Sequence, residues 1–173
     1  MELSKVTFAM IKPDAVAKKN SGKIIDMIEH NGFEIVRLQK VMISLELAEE
    51  FYSVHKDKPF FEELVTFVTS APVIIMALYK DNAINEWRTL IGATDPAKAE
   101  TGTIRQLFGT SISNNVVHGS DSAENATEEL SLFFPDLFGF SDEDEDDDSD
   151  DEDECDEDDD ACCDDEDECD GEC

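Results

Sequence analysis

Pro72-Val73-Ile74-Ile75-Met76-Ala77-Leu78-Tyr79 is a continuous apolar stretch and reads as a strand. Helical patterns lie on either side of it, one from Pro59 to about Thr69 and one from Asn82 to Ile91. Upstream, Ser44 followed three residues later by Leu47 serves as an N-cap without the full capping box, for a helix running toward His55. Residues 33–43 alternate apolar and polar positions, with Phe33, Ile35 and Arg37 separated by residues such as Val36, and suit a second strand. Ile24, Ile25 and Ile28 form the apolar stripe of a helix over residues 21–30 that stops at Gly32. Val6-Thr7-Phe8-Ala9-Met10-Ile11 is a short apolar run ending at Lys12-Pro13, a buried strand. Downstream, residues 92–115 hold four glycines or prolines and little periodicity, so a long loop with short helical turns is expected. Loops of that length inside a compact domain are usually functional. Val116-Val117-His118 forms a brief last strand, and Ala123 to Phe133 a last helix. The order β-α-β-α-β-α-β predicts an α+β sandwich, helices covering a sheet, with the strand order left open.

The charge is unevenly spread. Of 44 acidic residues, 24 fall in residues 141–173, which contain no Lys or Arg. That leaves 20 acidic against 13 basic residues in 1–140, so the body carries only about −7 of the formal −31. Two regions follow: a domain over residues 1–140 large enough to bury a core, and an acidic, cysteine-containing tail over 141–173. Too poor in apolar residues to collapse and strongly self-repelling, the tail is expected to be disordered. All five cysteines (Cys155, Cys162, Cys163, Cys169 and Cys173) lie in it, so the body folds without disulfides. No apolar run approaches the roughly 20 residues of a bilayer span. The start, Met-Glu-Leu-Ser-Lys, lacks the pattern of a signal peptide, and a cytoplasmic location is expected.

There is no glycine-rich phosphate loop of the Walker type and no paired His/Cys spacing for zinc. Phosphate handling would therefore fall to scattered cations: Lys12 at a strand end, Arg88 on a helix and Arg105 in the long loop. Taken singly, each reads first as a surface charge, although a lysine closing a buried strand before Pro13 has few structural reasons to be there. His118 ends a short apolar strand and enters Gly119-Ser120-Asp121, a turn that another molecule can approach closely. A neutral imidazole is nucleophilic near pH 7, and a phosphohistidine is reactive enough to give its phosphate back. Such a nucleophile needs one ring nitrogen held by an acceptor, and Glu129 on the following helix is the candidate. The alternative is a hydrogen-bonded histidine at a strand end. Four further residues read as structural: His30 as a charge at a helix C-terminus, and Trp87, Phe133 and Phe134 as core.

Asn115-Val116-Val117-His118-Gly119-Ser120-Asp121 resembles the active-site motif of nucleoside diphosphate kinases. Four more pieces match in the same order: Thr7-Phe8-Ala9-Met10-Ile11-Lys12-Pro13-Asp14; Phe51 to His55 with Lys58-Pro59-Phe60-Phe61; Gly92-Ala93-Thr94-Asp95-Pro96; and Gly102-Thr103-Ile104-Arg105. The resemblance spans roughly residues 3 to 138. It implies a ferredoxin-like βαββαβ core with an antiparallel four-stranded sheet. It also implies a ping-pong reaction in which a nucleoside triphosphate, mainly ATP, phosphorylates His118 on its pros nitrogen and a diphosphate then removes the phosphate. Carried over by position, Lys12, Tyr52, Arg88, Thr94, Arg105 and Asn115 contact phosphate or ribose, and Phe60 stacks on the base. Ser120 and Glu129 support the histidine, and Gly119 forms the close-packed turn. Mg²⁺ is implied as the cofactor, held by the nucleotide phosphates, with no metal ligands assigned to protein side chains. Stacking on Phe60 reads a base by its face, so broad base tolerance follows. Asp95 departs from the asparagine expected before Pro96, and His55, inside a matching motif, is read as a structural hydrogen-bonding residue. The partners implied are nucleoside tri- and diphosphates and further copies of the chain, as a tetramer or a hexamer, with neither membrane nor nucleic acid.

The resemblance does not reach the tail. Besides solubilising the protein, it is readable as a dock for basic partners, a buffer for divalent ions, a weak metal trap at Cys162-Cys163, or a competitor for Arg88 or Arg105. Two rivals to the enzyme remain: a nucleotide-binding scaffold that has lost turnover, and a donor of phosphate to protein histidines. The joint presence of His118, Lys12, Arg88, Arg105, Asn115 and Glu129 speaks against the scaffold.

Overall fold

In the computed structural model, residues 5–138 are described; the acidic segment 141–173, and the disorder predicted for it, lie outside the described residues. Four strands form one sheet: β1 (Val6–Ile11), β2 (Glu34–Val41), β3 (Val73–Tyr79) and β4 (Val117–Gly119). Their order is β2-β3-β1-β4 and every pair is antiparallel. Among the described residues there are seven α-helices, six in the connections and the last after β4: α1 (Pro13–Ala17), α2 (Ser21–His30), α3 (Leu45–Phe51), α4 (Phe61–Thr69), α5 (Ala83–Ile91), α6 (Ile104–Phe108) and α7 (Ala123–Phe133). The strand order is that of a ferredoxin-like α+β sandwich, with α3 and α4 placed between β2 and β3.

The two central strands are buried and, Thr7 aside, almost wholly apolar because both of their faces are covered. On one face, Phe8 and Met10 of β1 and Val73, Ile75 and Ala77 of β3 pack under Ala48 and Phe51 of α3, Val65 and Val68 of α4, and Leu130 and Phe133 of α7. On the other, Ala9, Ile11, Ile74, Met76 and Leu78 pack against Ile24 and Ile28 of α2 and Trp87 and Ile91 of α5. The period of two along β1 and β3 thus feeds two cores at once. Each fully buried large apolar side chain contributes about 1.5–3 kcal/mol. Trp87, Phe133 and Phe134 are core residues, as the sequence reading has them.

Edge strand β2 is mostly exposed, and a bulge between Ile35 and Arg37 shifts its register. That bulge accounts for an alternation in the sequence that is not clean. The strand is also shorter than the expected 33–43. Ser44 caps α3 as expected, its Oγ accepting from the Leu47 N–H at 3.2 Å, and Ser122 caps α7 through the Asn125 N–H at 3.1 Å. The helix expected from Pro59 begins at Phe61. The long loop after α5 holds a 3-10 turn at Pro96–Lys98 and α6. There the Asp95 carboxylate accepts the Ala97 N–H at 3.1 Å, so an aspartate serves as the turn's cap. Helix α1 has no counterpart in the sequence reading, where Lys12-Pro13 only ends a strand; Pro13 is the first residue of a helix.

Candidate active site

Strand β4 is short and runs beside β1, with His118 opposite Met10 and Gly119 opposite Ala9. What places it is the turn before it. Val116 has φ 73°, a left-handed conformation that is costly for a β-branched residue. Its carbonyl accepts the Lys12 N–H at 2.8 Å, and the Val117 N–H closes back on the Asn115 carbonyl at 2.8 Å. The kink turns Asn115 toward Lys12, whose Nζ donates to Asn115 Oδ1 at 2.7 Å, while Asn115 Nδ2 donates to the Thr94 carbonyl at 3.5 Å.

His118 is held from behind. Its Nε2 lies 2.9 Å from Glu129 Oε1, and the Ser120 hydroxyl donates to the other oxygen of Glu129 at 2.5 Å. With Nε2–H given to the carboxylate, the ring's lone pair is on Nδ1, the pros nitrogen. Phe51 packs edge-on against the imidazole at 5.0 Å between centroids, and Phe8 lies at 6.0 Å. Below the strand, Trp87 Nε1 donates to the His118 carbonyl at 3.3 Å. A Cβ on Gly119 would come within 2.5 Å of Trp87 Cδ1, so only glycine fits there. This close approach is the physical reason for the Gly after the histidine.

The cations gather on the same side. Lys12 is 6% exposed and Arg105 9% exposed, both far more buried than is usual for such groups. Arg105 is anchored by Nη1 to the Gly92 carbonyl at 2.9 Å and by Nη2 to the Val117 carbonyl at 3.0 Å, next to the histidine. Burial, and then the Arg105 guanidinium, push the Lys12 ammonium down to about 8, with Asp14 pulling the other way. Burial and the neighbouring Arg88 lower Arg105 to about 10. The Tyr52 phenol is pushed up, first by burial and then by the Glu129 carboxylate, so it stays protonated as a donor. Its hydroxyl and Arg105 Nε are buried with no protein partner among the described residues. The lowered Lys12 pKa and the two unpartnered buried donors mark groups that the folded protein holds at a cost.

A cleft of about 880 Å³ opens from Lys12, Asn115 and Thr94 outward to His55, Phe60 and Ile112. Phe60 is 48% exposed and Ile112 61%, two apolar side chains that line the cleft. The structure thus joins Lys12, Phe60, Thr94 and Asn115 in one cleft. It joins His118, Ser120 and Glu129 in one hydrogen-bonded group, linked to the cleft through the Asn115–Val117 turn. Tyr52 packs on Phe51 at 4.6 Å, and Arg88 is exposed in the last turn of α5. Ile112 was not singled out from the sequence, although an isoleucine alone among Ser111, Ser113 and Asn114 was the available signal. His55 differs from its structural reading: its ring sits 5.9 Å from Phe60 and lines the cleft, with no ring hydrogen bond among the described residues.

A histidine with one nitrogen held by a carboxylate, near buried cations and joined by the Asn115–Val117 turn to a cleft lined by exposed apolar side chains, has the outline of a nucleotide phosphotransferase. Residues 5–137 match the family model of nucleoside diphosphate kinase, and the chain belongs to that family. A nucleoside diphosphate kinase of Geotalea uraniireducens is 54% identical over 131 residues, covering 76% of this chain and 96% of its relative. That of Chlorobium limicola is 51% identical over 128 residues, 74% of this chain and 91% of the relative. Among solved structures, the Aquifex aeolicus nucleoside diphosphate kinase superposes with a TM-score of 0.75 at 40% identity, over 77% of this chain and 96% of the other. A halophilic nucleoside diphosphate kinase from Halobacterium salinarum, solved in complex with CDP, gives a TM-score of 0.72 at 41% identity, over 75% and 86%.

Proposed function

We propose that the chain transfers the terminal phosphate of a nucleoside triphosphate, mainly ATP, to a nucleoside diphosphate by a ping-pong route through Nδ1 of His118. The contact that carries this reading is His118 Nε2 to Glu129 Oε1 at 2.9 Å, which leaves Nδ1 with the lone pair. In the first half-reaction that pair attacks the γ-phosphorus. The bridging P–O bond breaks, and the electrons leave on the departing diphosphate. In the second, an oxygen of the acceptor's terminal phosphate attacks the phosphohistidine, and the P–N bond breaks to restore the lone pair. Glu129 stabilises the positive charge that develops on the ring, and Ser120 fixes the carboxylate in place.

Lys12, Arg105 and Arg88 supply positive charge around the phosphate oxygens, and Tyr52, Thr94 and Asn115 complete the phosphate and ribose contacts. Phe60 and Ile112, both lining the cleft, hold the base by its faces without reading its edge. Among the described residues no three His, Cys, Asp or Glu side chains converge on a point that would hold a metal. The inner site is cationic, so it fits Mg²⁺ carried by the phosphates and not an ion lodged in side chains; there the ion would supply further neutralisation of phosphate charge.

Assembly as a homo-oligomer belongs to the same proposal: β2 is an open edge, and Leu38 and Met42 beside it are 43% and 58% exposed. A cytoplasmic site of action is proposed with it, since residues 1–140 contain no cysteine and call for no oxidising compartment. No described helix is long and apolar enough to cross a membrane. Initial rates test the mechanism. Varying ATP at several fixed concentrations of a second nucleoside diphosphate should give parallel double-reciprocal lines. Intersecting lines would mean direct transfer in a ternary complex and would exclude the histidine relay.

A further inference from the structure

The strained turn before the nucleophile is gripped from both sides by one short segment, Lys12-Pro13-Asp14. Val116 offers one backbone donor and one acceptor. Its carbonyl accepts the Lys12 N–H at 2.8 Å, and its N–H donates to Asp14 Oδ2 at 3.3 Å. Asp14 Oδ1 is buried and has no partner among the described residues, so the Val116 N–H is the one hydrogen-bonded group its carboxylate holds there. Asp14 is in the first turn of α1, and Pro13 fixes that turn's start, so the carboxylate is delivered at a set place. A valine at φ 73° needs such restraint, because the extended region is open to it at lower energy. Two residues of the site depend on the turn directly. Asn115 meets Lys12 Nζ at 2.7 Å on one side of Val116, and Val117 gives its carbonyl to Arg105 at 3.0 Å on the other.

We propose that Asp14 is a positioning residue for phosphoryl transfer: its carboxylate holds Val116 in the left-handed turn that sets Asn115 on Lys12 and His118 on Glu129. Asp14 touches neither the nucleotide nor the histidine in this account and acts through the backbone. Without it, Val116 relaxes toward the extended region, Asn115 swings from Lys12, and the β4 register beneath His118 loosens. Its charge has a second effect, opposing the burial and the Arg105 guanidinium that lower the Lys12 pKa.

This inference rests on His118 as the phosphate carrier, and one experiment separates the two. The rate constant and amplitude of labelling by γ-labelled ATP with Mg²⁺ are measured by rapid quench on the full chain. The proteins compared are native, Asp14→Ala, Asp14→Asn, and the double variant Asp14→Ala with Val116→Gly. A native protein that takes no label refutes the carrier and leaves Asp14 aside. With the native protein labelled, Asp14→Ala should lower the rate constant by roughly 10- to 100-fold, the worth of a hydrogen bond to a charged group. A merely structural role would lower the amplitude, through the folded fraction, and leave the rate constant unmoved. Asp14→Asn keeps an acceptor oxygen and should label within about threefold of native at neutral pH, with its alkaline limb moved to lower pH by the lost charge. Glycine adopts the left-handed conformation freely, so Val116→Gly should recover most of the rate lost in Asp14→Ala. Asp14→Ala labelling at the native rate constant, or no recovery in the double variant, overturns the proposal. Where neither alanine variant folds, Asp14→Asn decides it: near-native labelling with the displaced limb supports the role, and labelling more than tenfold slower overturns it.

Discussion

Replacing Lys12 with methionine should make the protein inactive and, at neutral pH, more stable. The ammonium is only 6% exposed, and its pKa falls from 10.5 to about 8 on folding. At about 1.4 kcal/mol per tenfold, that difference is a destabilisation of about 3 kcal/mol carried by the folded protein. The sign follows from which state binds the proton more tightly. The unfolded chain does, so the cost is fully present below about pH 8 and disappears as pH rises from there toward 10.5. Methionine fills a similar volume without charge, but it leaves Asn115 Oδ1 without its donor at 2.7 Å, a loss of about 1–3 kcal/mol. The net gain expected at pH 7 is therefore about 1 kcal/mol. Urea unfolding at fixed protein concentration, without nucleotide, measures it at pH 7 and again near pH 10. The variant should be the more stable at pH 7 and lose that advantage near pH 10, where the native lysine has shed its proton. Activity should move the other way, with kcat/KM down at least about a hundredfold. For the native enzyme kcat/KM should decline as pH rises through about 8. A variant less stable than native by more than about 1 kcal/mol at pH 7, or a difference that ignores pH, would refute the reading of Lys12 as a strained cation awaiting phosphate.

Glu129→Gln keeps the shape of the acceptor but removes its charge, and should lower the phosphorylation rate of His118 by about 10²-fold with little change in nucleotide affinity, read by single-turnover quench. Phe60→Ala should raise KM several-fold for ATP, GTP and CTP alike while sparing kcat; a selective loss for one base would show that the cleft reads base edges. Gly119→Ala drives a methyl into the Trp87 indole and should cost about 1–3 kcal/mol in chemical denaturation, with slowed labelling of whatever folds.

How much was legible in the sequence differs from element to element. β1 and β3 were plain because central strands covered on both faces show near-continuous apolar runs, as Val6–Ile11 (with one threonine) and Val73–Tyr79 do. β2 was blurred because an edge strand with a bulge has no strict period. Helix α1 was invisible at five residues, too short for a stripe, and Pro13 reads as readily as an end as a beginning. In the site, His118 and Glu129 fall 11 residues apart on consecutive elements, and local pattern sufficed to connect them. Lys12 and Asn115 are 103 residues apart, and only the β1–β4 pairing brings them together. Ile112 escaped because an exposed apolar residue in a loop has no periodicity to mark it. Asp14 escaped because its partner is a backbone N–H, which no side-chain pattern records.

Labelling is the most direct test of the phosphate relay. Purified protein is incubated with γ-labelled ATP and Mg²⁺ beside a His118→Ala variant, and GDP is then added in excess. The native protein should take up an acid-labile, alkali-stable label and release it as labelled GTP, while the variant stays unlabelled. A native protein that forms no adduct, or a His118→Ala variant that labels and discharges like the native one, would contradict the relay through His118.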